Sequence, residues 1–305
     1  MLGLLTRRQT KGVSLEAYSA GILRVRGEVV SSMKSYHAKL KLPVLVVLIR
    51  HPKQGLILFG TGLSPDRERR KQRIWDPLMP HSVRYKLKKG GDIVSQLNEA
   101  NVATGDVKWV ILPFLGPESA GMIDSFPNAT VVVTRREWEW RKSLLSEGES
   151  PGPLDPGSLE GRIRLRLEDL ANKPAFGPFE NGMDLFKDGA VFLVGLPGRT
   201  PGNMGLWVNL DGGPVLLTGG AAYVVDNFLD LALPVKGRFT DLDEYWRSLH
   251  IIQAARRDIP QLVVVPGNDL SSLRTASGRS DIGIVGGKKG ERRGEKKTLD
   301  KWRHF

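Results

Sequence analysis

Apolar residues along this chain come in short bursts cut by glycine and proline. LPVLVVLI (residues 42–49) and GLILF (55–59) are two such bursts, separated by HPKQG. Aliphatic and β-branched runs of this length around a Pro/Gly turn predict a β-hairpin. An earlier alternation, SLEAYSAGILRVRGEVV, predicts strands around a glycine turn. DVKWVIL and NATVVVT predict two more buried strands, the second running into the charged helix RREWEW. Further strands joined by Gly-rich turns are expected in GAVFLVGLPGRTPG, MGLWVNLDGGPVLLTGGAAY and QLVVVPGNDL. The period shifts to helical in two places. DIVSQLNEANV carries Ile93, Val94, Leu97 and Ala100 near 3.6-residue spacing, with Asp92 as N-cap. LDEYWRSLHIIQAARR reads as an amphipathic helix. Strands with short turns, each half closed by helices, predict a layered sandwich of the α/β class, not a regularly alternating doubly wound sheet.

The remaining stretches read as connections. RERRKQRIWDPLMPHS is basic and broken by proline, and EGESPGPLDPGSLEG (147–161) has so much Pro and Gly that it is expected to be loop. From Ser277 onward the chain is rich in Gly and Lys, which predicts one domain over residues 1–276 and a basic tail over 277–305.

Composition narrows the function classes. The 305 residues are 40% hydrophobic and 26% charged, ordinary for a globular protein with a large core. There is no cysteine, which excludes disulfides, thiolate catalysis and cysteine-ligated metal centres. No apolar run reaches the ~18–20 residues of a membrane span, and MLGLLTRRQ lacks the layout of a signal peptide. A cytoplasmic protein is therefore expected. The net charge is +12, from 45 Lys and Arg against 33 Asp and Glu. Such an excess favours polyanions. The candidate contacts are Arg67, Arg69, Arg70, Lys71 and Arg73 in the basic connection, with Lys288, Lys289, Arg292, Arg293, Lys296 and Lys297 in the tail. RNA or an acidic protein complex is the expected partner, with a homodimer as a further expectation.

Candidate chemistry centres on ILPFLGPESAGM (111–122), a strand–loop–helix passage without His, Cys or Asp. Together with GLILFGTGLSPD, GLPGRTPGNMGLWV, LLTGGAAYVVDNF and VVVPGND, in that order and spacing, it resembles the metallo-β-lactamase superfamily, and within it the N-acyl homoserine lactonase branch. The resemblance runs over about residues 43–270. It implies an αββα sandwich with five loops along one edge, which in the family hold two metal ions, usually zinc. The family's His-x-His-x-Asp-His motif falls on Phe114, Gly116, Glu118 and Ser119. Its later ligand positions fall on Asn203, Gly220 and Asn268, and the aspartate usual before Thr61-Gly62 is Gly60. Phe and Gly have no donor atoms, and Ser and Asn are neutral oxygen ligands unsuited to zinc. No metal or other cofactor is therefore expected. The main expectation is a non-catalytic binding or structural subunit; the alternative is a metal-independent hydrolase or an acyl- or lactone-binding sensor.

Within that frame Phe114 is expected to fill the former site, and Arg199 to pair with Glu118 across it. The resemblance makes Tyr223 a candidate contact for a substrate carbonyl. Gly62, Gly121, Gly202, Gly219 and Gly267 are expected to serve backbone conformation or close approach. The histidines, His37, His51, His81, His250 and His304, lie off the matched loops. His51, His81 and His304 are expected in solvent, and His250 packed or half exposed. No nucleophile elbow, phosphate loop or dinucleotide fingerprint occurs.

Overall fold

The computed structural model describes residues 10–35, 37–65, 83–146, 154, 156–234 and 239–285. The basic connection, with Arg67, Arg69, Arg70, Lys71, Arg73 and His81, lies outside the described residues. So do Lys288, Lys289, Arg292, Arg293, Lys296, Lys297 and His304.

The strands are β1 (Ser14–Arg26), β2 (Lys39–His51), β3 (Gly55–Phe59), β4 (Arg84–Lys86), β5 (Val107–Ile111), β6 (Thr130–Thr134) and β7 (Arg164–Glu168), followed by β8 (Gly182–Asp184), β9 (Val191–Gly195), β10 (Met204–Leu210), β11 (Gly213–Leu217), β12 (Val263–Val265) and β13 (Ile282–Val285). They form two sheets. The first runs β13-β1-β2-β3-β5-β6-β7, with β4 also on β1; the second runs β12-β11-β10-β9-β8. β2 and β3 form the expected hairpin, while β3, β5, β6 and β7 are parallel.

Alternation along the central strands explains the layers. On β2, Val47 and Ile49 face the core between the sheets, while Val46 and Leu48 face the outer helices. β10 is buried at every position. Its Met204, Leu206, Val208 and Leu210 enter the inter-sheet core, and Trp207 enters the opposite cluster. Asn209 survives this burial because it accepts from Trp207 Nε1 at 2.8 Å and donates to Gly189 O at 2.8 Å.

Helix α1 (Ile93–Glu99) starts where Asp92 accepts from Ser95 N at 2.8 Å. Helices α2 (Pro117–Ala120) and α3 (Arg135–Ser146) follow β5 and β6. α4 (Pro156–Leu159) is a helical turn within the stretch read as loop, so that expectation is corrected: Leu159 is fully buried in the outer core and holds it there. α5 (Asp226–Leu229) precedes α6 (Leu242–Asp258). Asp241 caps α6 through Glu244 N at 2.8 Å, and Tyr245, Ser248, Leu249, Ile252 and Ala255 form its buried stripe. α7 (Ser271–Thr275) closes that layer. Helices thus cover both outer faces, giving the αββα sandwich.

Two boundaries differ from expectation. β1 is one continuous strand, not two around a turn. Gly21 (φ +138°) absorbs an irregularity between Ser19 and Ile22, where a Cβ would lie 2.5 Å from Leu63 Cδ1. The domain also extends past residue 276, because β13 pairs in parallel with β1 from Leu15↔Ile282 to Tyr18↔Val285. Three apolar residues in IGIV sufficed to extend the sheet despite their polar, glycine-rich flanks.

Candidate functional site

The loops after β3, β5, β11 and β12, together with the β9–β10 connection, converge at one edge of the sandwich. Backbone hydrogen bonds stitch them together: Thr61 N to Ser119 O at 2.6 Å, Met204 N to Pro113 O at 3.0 Å and Gly267 N to Ala222 O at 2.9 Å. The convergence brings Phe114, Gly116, Glu118, Ser119, Arg199, Asn203, Gly220, Tyr223 and Asn268 to one corner.

Arg199 occupies the middle of that corner and is 1% exposed. Its Nη2 donates to Glu118 Oε1 at 2.7 Å, and its guanidinium lies 4.8 Å from the Phe114 ring centre and 5.2 Å from that of Tyr223. Glu118 also accepts a short hydrogen bond from the Tyr85 hydroxyl on β4. Asn203 is spent on the loop itself, donating to Leu196 O at 2.7 Å and accepting from Gly220 N at 3.0 Å. Asn268 donates to Pro43 O at 2.7 Å. The Ser119 hydroxyl is buried and has no hydrogen-bond partner among the described residues. Beside these groups lies a cavity of about 40 Å³, bounded by Val44, Val47, Phe59, Glu118, Arg199 and Tyr223, among others.

This donor set does not fit a two-metal centre. Among the described residues no three His, Cys, Asp or Glu side chains are grouped to hold a metal ion. The space is also taken. A Cβ on Gly220 would lie 2.4 Å from Arg199 Cδ and 2.8 Å from Asn203 Oδ1, and one on Gly116 would lie 2.5 Å from Phe114 Cε2. A positive guanidinium stands at the centre, where a divalent cation would meet charge repulsion.

A second buried carboxylate braces the corner from behind. Glu137 is 0% exposed, and its Oε1 accepts from Leu115 N at 2.7 Å. Thr134 Oγ1 accepts from Glu137 N at 3.2 Å and donates to Gly202 O at 2.7 Å. A Cβ on Gly202 would meet Glu137 N at 2.1 Å, so the Arg199–Asn203 loop packs directly on the start of α3. Burial pushes the Glu137 carboxyl above its ordinary value, while the Thr200 hydroxyl, the Leu115 and Gly202 amides and Arg141 pull it down less strongly.

Sequence reasoning missed both Tyr85 and Glu137. Glu137 did leave a signal, since Thr134-x-x-Glu137 has capping-box spacing; the carboxylate turns to Leu115 instead of closing the box. Tyr85 left none. The expectation of solvated histidines fails for His51, which is 3% exposed. Its Nδ1 accepts from Lys53 N and Gln54 N, each at 3.2 Å, and Nε2 faces Asp188 at 3.2 Å. His250 is exposed.

No protein-family model matches the chain. It is 28% identical over 228 residues to the N-acyl homoserine lactonase AttM of Azorhizobium caulinodans, covering 73% of this chain and 81% of that protein. The AttM of Agrobacterium fabrum matches over the same span at 28%. Among solved structures, B. thuringiensis AiiA with N-decanoyl-L-homoserine at its active site superposes with a TM-score of 0.69 at 20% identity, covering 88% of this chain and 96% of that one. Sequence relatives named as lactonases over most of both chains overturn the expectation of a non-catalytic binding or structural subunit. That expectation rested on seven residue positions, whereas the likeness spans the domain. The chain is thus similar over most of its length to N-acyl homoserine lactonases and shares the αββα fold of the solved lactonases.

Proposed function

We propose that this chain hydrolyses a small lactone or ester, with the reacting carbonyl at the corner formed by Glu118, Arg199 and Tyr223. The relatives named above are lactonases for N-acyl homoserine compounds, and the same class of cyclic ester is proposed as substrate here. One observation carries the reading: Arg199 is a buried, fixed cation. Ester hydrolysis develops negative charge on the carbonyl oxygen, and a preorganised cation in a site poor in water stabilises that charge far more than water does. Two aromatic rings and Glu118 hold the guanidinium, so little reorganisation is needed when charge develops.

The Tyr223 hydroxyl is the second donor at this position. Glu118 lines the cavity and takes the proton of the attacking water. Apolar Val44, Val47 and Phe59 also line the cavity. A cavity of about 40 Å³ has room for roughly three water-sized groups. It therefore admits the carbonyl end of a ligand, and an acyl chain stays outside the corner.

The test is acid release from γ-butyrolactone, N-acyl homoserine lactones of graded chain length and a phenyl ester, using the full chain. Turnover above the blank is expected, unchanged by chelator. Tyr223→Phe, which keeps the packing, is expected to lower kcat by about 10²-fold, the scale of losing one oxyanion donor. No release above the blank, or release abolished by chelation, overturns the proposal.

A further inference from the structure

The strands that carry the corner have an outer side, and it holds a second feature. After the irregularity at Gly21, β1 alternates cleanly. Leu23 and Val25 point inward to a cluster with Val44, Leu63, Val83 and Leu87, against which Leu40, Leu42 and Tyr85 also pack. The register places inner residues opposite inner residues, Leu23↔Leu42, Val25↔Leu40 and Leu23↔Tyr85. The positions between them face outward, and almost all are cations.

Arg24 lies directly opposite Lys41 on one side and Arg84 on the other, so three positive side chains stand abreast across β2, β1 and β4. Arg26 lies opposite Lys39, and Lys86 opposite Ile22. Arg24, Lys39, Lys41, Arg84 and Lys86 are exposed, and Arg26 is half-buried. The other register positions on this face are Ile22 and Pro43, so no acidic residue holds one.

This pattern costs stability by itself. Cross-strand neighbours sit about 4.5–5.5 Å apart at Cβ, and like charges directly opposite are destabilising. Residues two apart on one strand are about 6.5–7 Å apart. Both spacings are below the Debye length of about 8 Å at physiological salt. The cations therefore repel one another without full screening. A polyanion laid over the face removes that repulsion.

We infer that this three-stranded face binds the phosphate backbone of double-stranded nucleic acid, without sequence preference. Three features select this partner. Among the described residues no aromatic side chain lies on the face to offer a platform on which unpaired bases could stack. Its apolar members, Ile22 and Pro43, are half-buried and offer nothing large to insert into a bilayer. A duplex carries about one negative charge per 1.7 Å of axis, dense enough to meet three cations abreast and their neighbours together. The face lies on the opposite side of β1, β2 and β4 from the corner that Tyr85 enters, so it is independent of the hydrolytic reading.

The experiment uses the full chain and a 20-base-pair duplex of random sequence, with anisotropy read across a salt series. The double variant Lys39→Glu/Lys41→Glu places carboxylates opposite Arg26 and Arg24. A control with the same charge change, Lys53→Glu/Lys108→Glu, alters exposed lysines away from the face. The face variant is expected to bind at least about tenfold more weakly, and its slope of log K against log salt should shrink by about 2. Its melting temperature should hold or rise, since opposite charges now face each other. The control should shift affinity by less than about twofold. Equal weakening by both variants overturns the site, because net charge alone would then explain binding. Failure of the wild-type chain to bind duplex at low salt overturns it as well, as does binding to anionic vesicles or poly-glutamate in preference to duplex.

Discussion

Glu118 and Glu137 are both buried carboxylates at the same edge of the sandwich, yet they are built differently. Glu118 meets a buried guanidinium at 2.7 Å and a tyrosine hydroxyl. Glu137 has the Leu115 amide at 2.7 Å, with the Thr200 hydroxyl, the Gly202 amide and the charge of Arg141 also acting on it. The first is a charged pair set inside a cavity wall, and the second is a brace between loops that burial drives toward its neutral form.

The largest expected effect comes from breaking the pair. Arg199→Met leaves Glu118 buried without its cation and should cost roughly 3–5 kcal/mol, read from the denaturant midpoint at constant slope. Arg199→Met/Glu118→Leu should recover most of that loss, since removing both charges ends the desolvation penalty. Equal losses in the single and double variants would show that packing of the guanidinium against Phe114 and Tyr223 dominates instead.

Next in size is the brace. Thr134→Val removes the hydroxyl that joins Glu137 N to Gly202 O and should cost about 1–3 kcal/mol by leaving buried groups unpaired. A smaller loss would mean that Glu137 holds the two loops alone.

The smallest effect is one of pH. The Glu137 carboxyl is raised in the folded chain from its ordinary 4.5. Between that value and the raised one, the folded chain keeps a proton that the unfolded chain has released. Stability therefore falls as pH rises through this window. Glu137→Gln should flatten that slope in pH-dependent unfolding. A wild-type curve rising through the same window would reverse the assignment.

Much of the fold was legible in the chain. The β2–β3 hairpin, α1 with its Asp92 cap, α6 and the Gly/Pro turns of the five loops all follow from local signals. The Arg199–Glu118 pair followed from loop order once the resemblance placed both residues at one edge. Three features did not follow. IGIV joined β1 only because a free strand edge awaited it, His51 is buried by Phe186 and Asp188 from a distant turn, and Tyr85 reaches Glu118 from a three-residue strand.

Local order of apolar and polar residues, with turn chemistry, determined the layers, the loops and which residues stand on them, because those are properties of neighbours in the chain. Tertiary structure alone decided that Tyr85 reaches Glu118, that Glu137 braces the corner and that Arg24, Lys41 and Arg84 stand abreast. Each of these depends on register or on the meeting of loops, and both are set by elements far apart in sequence.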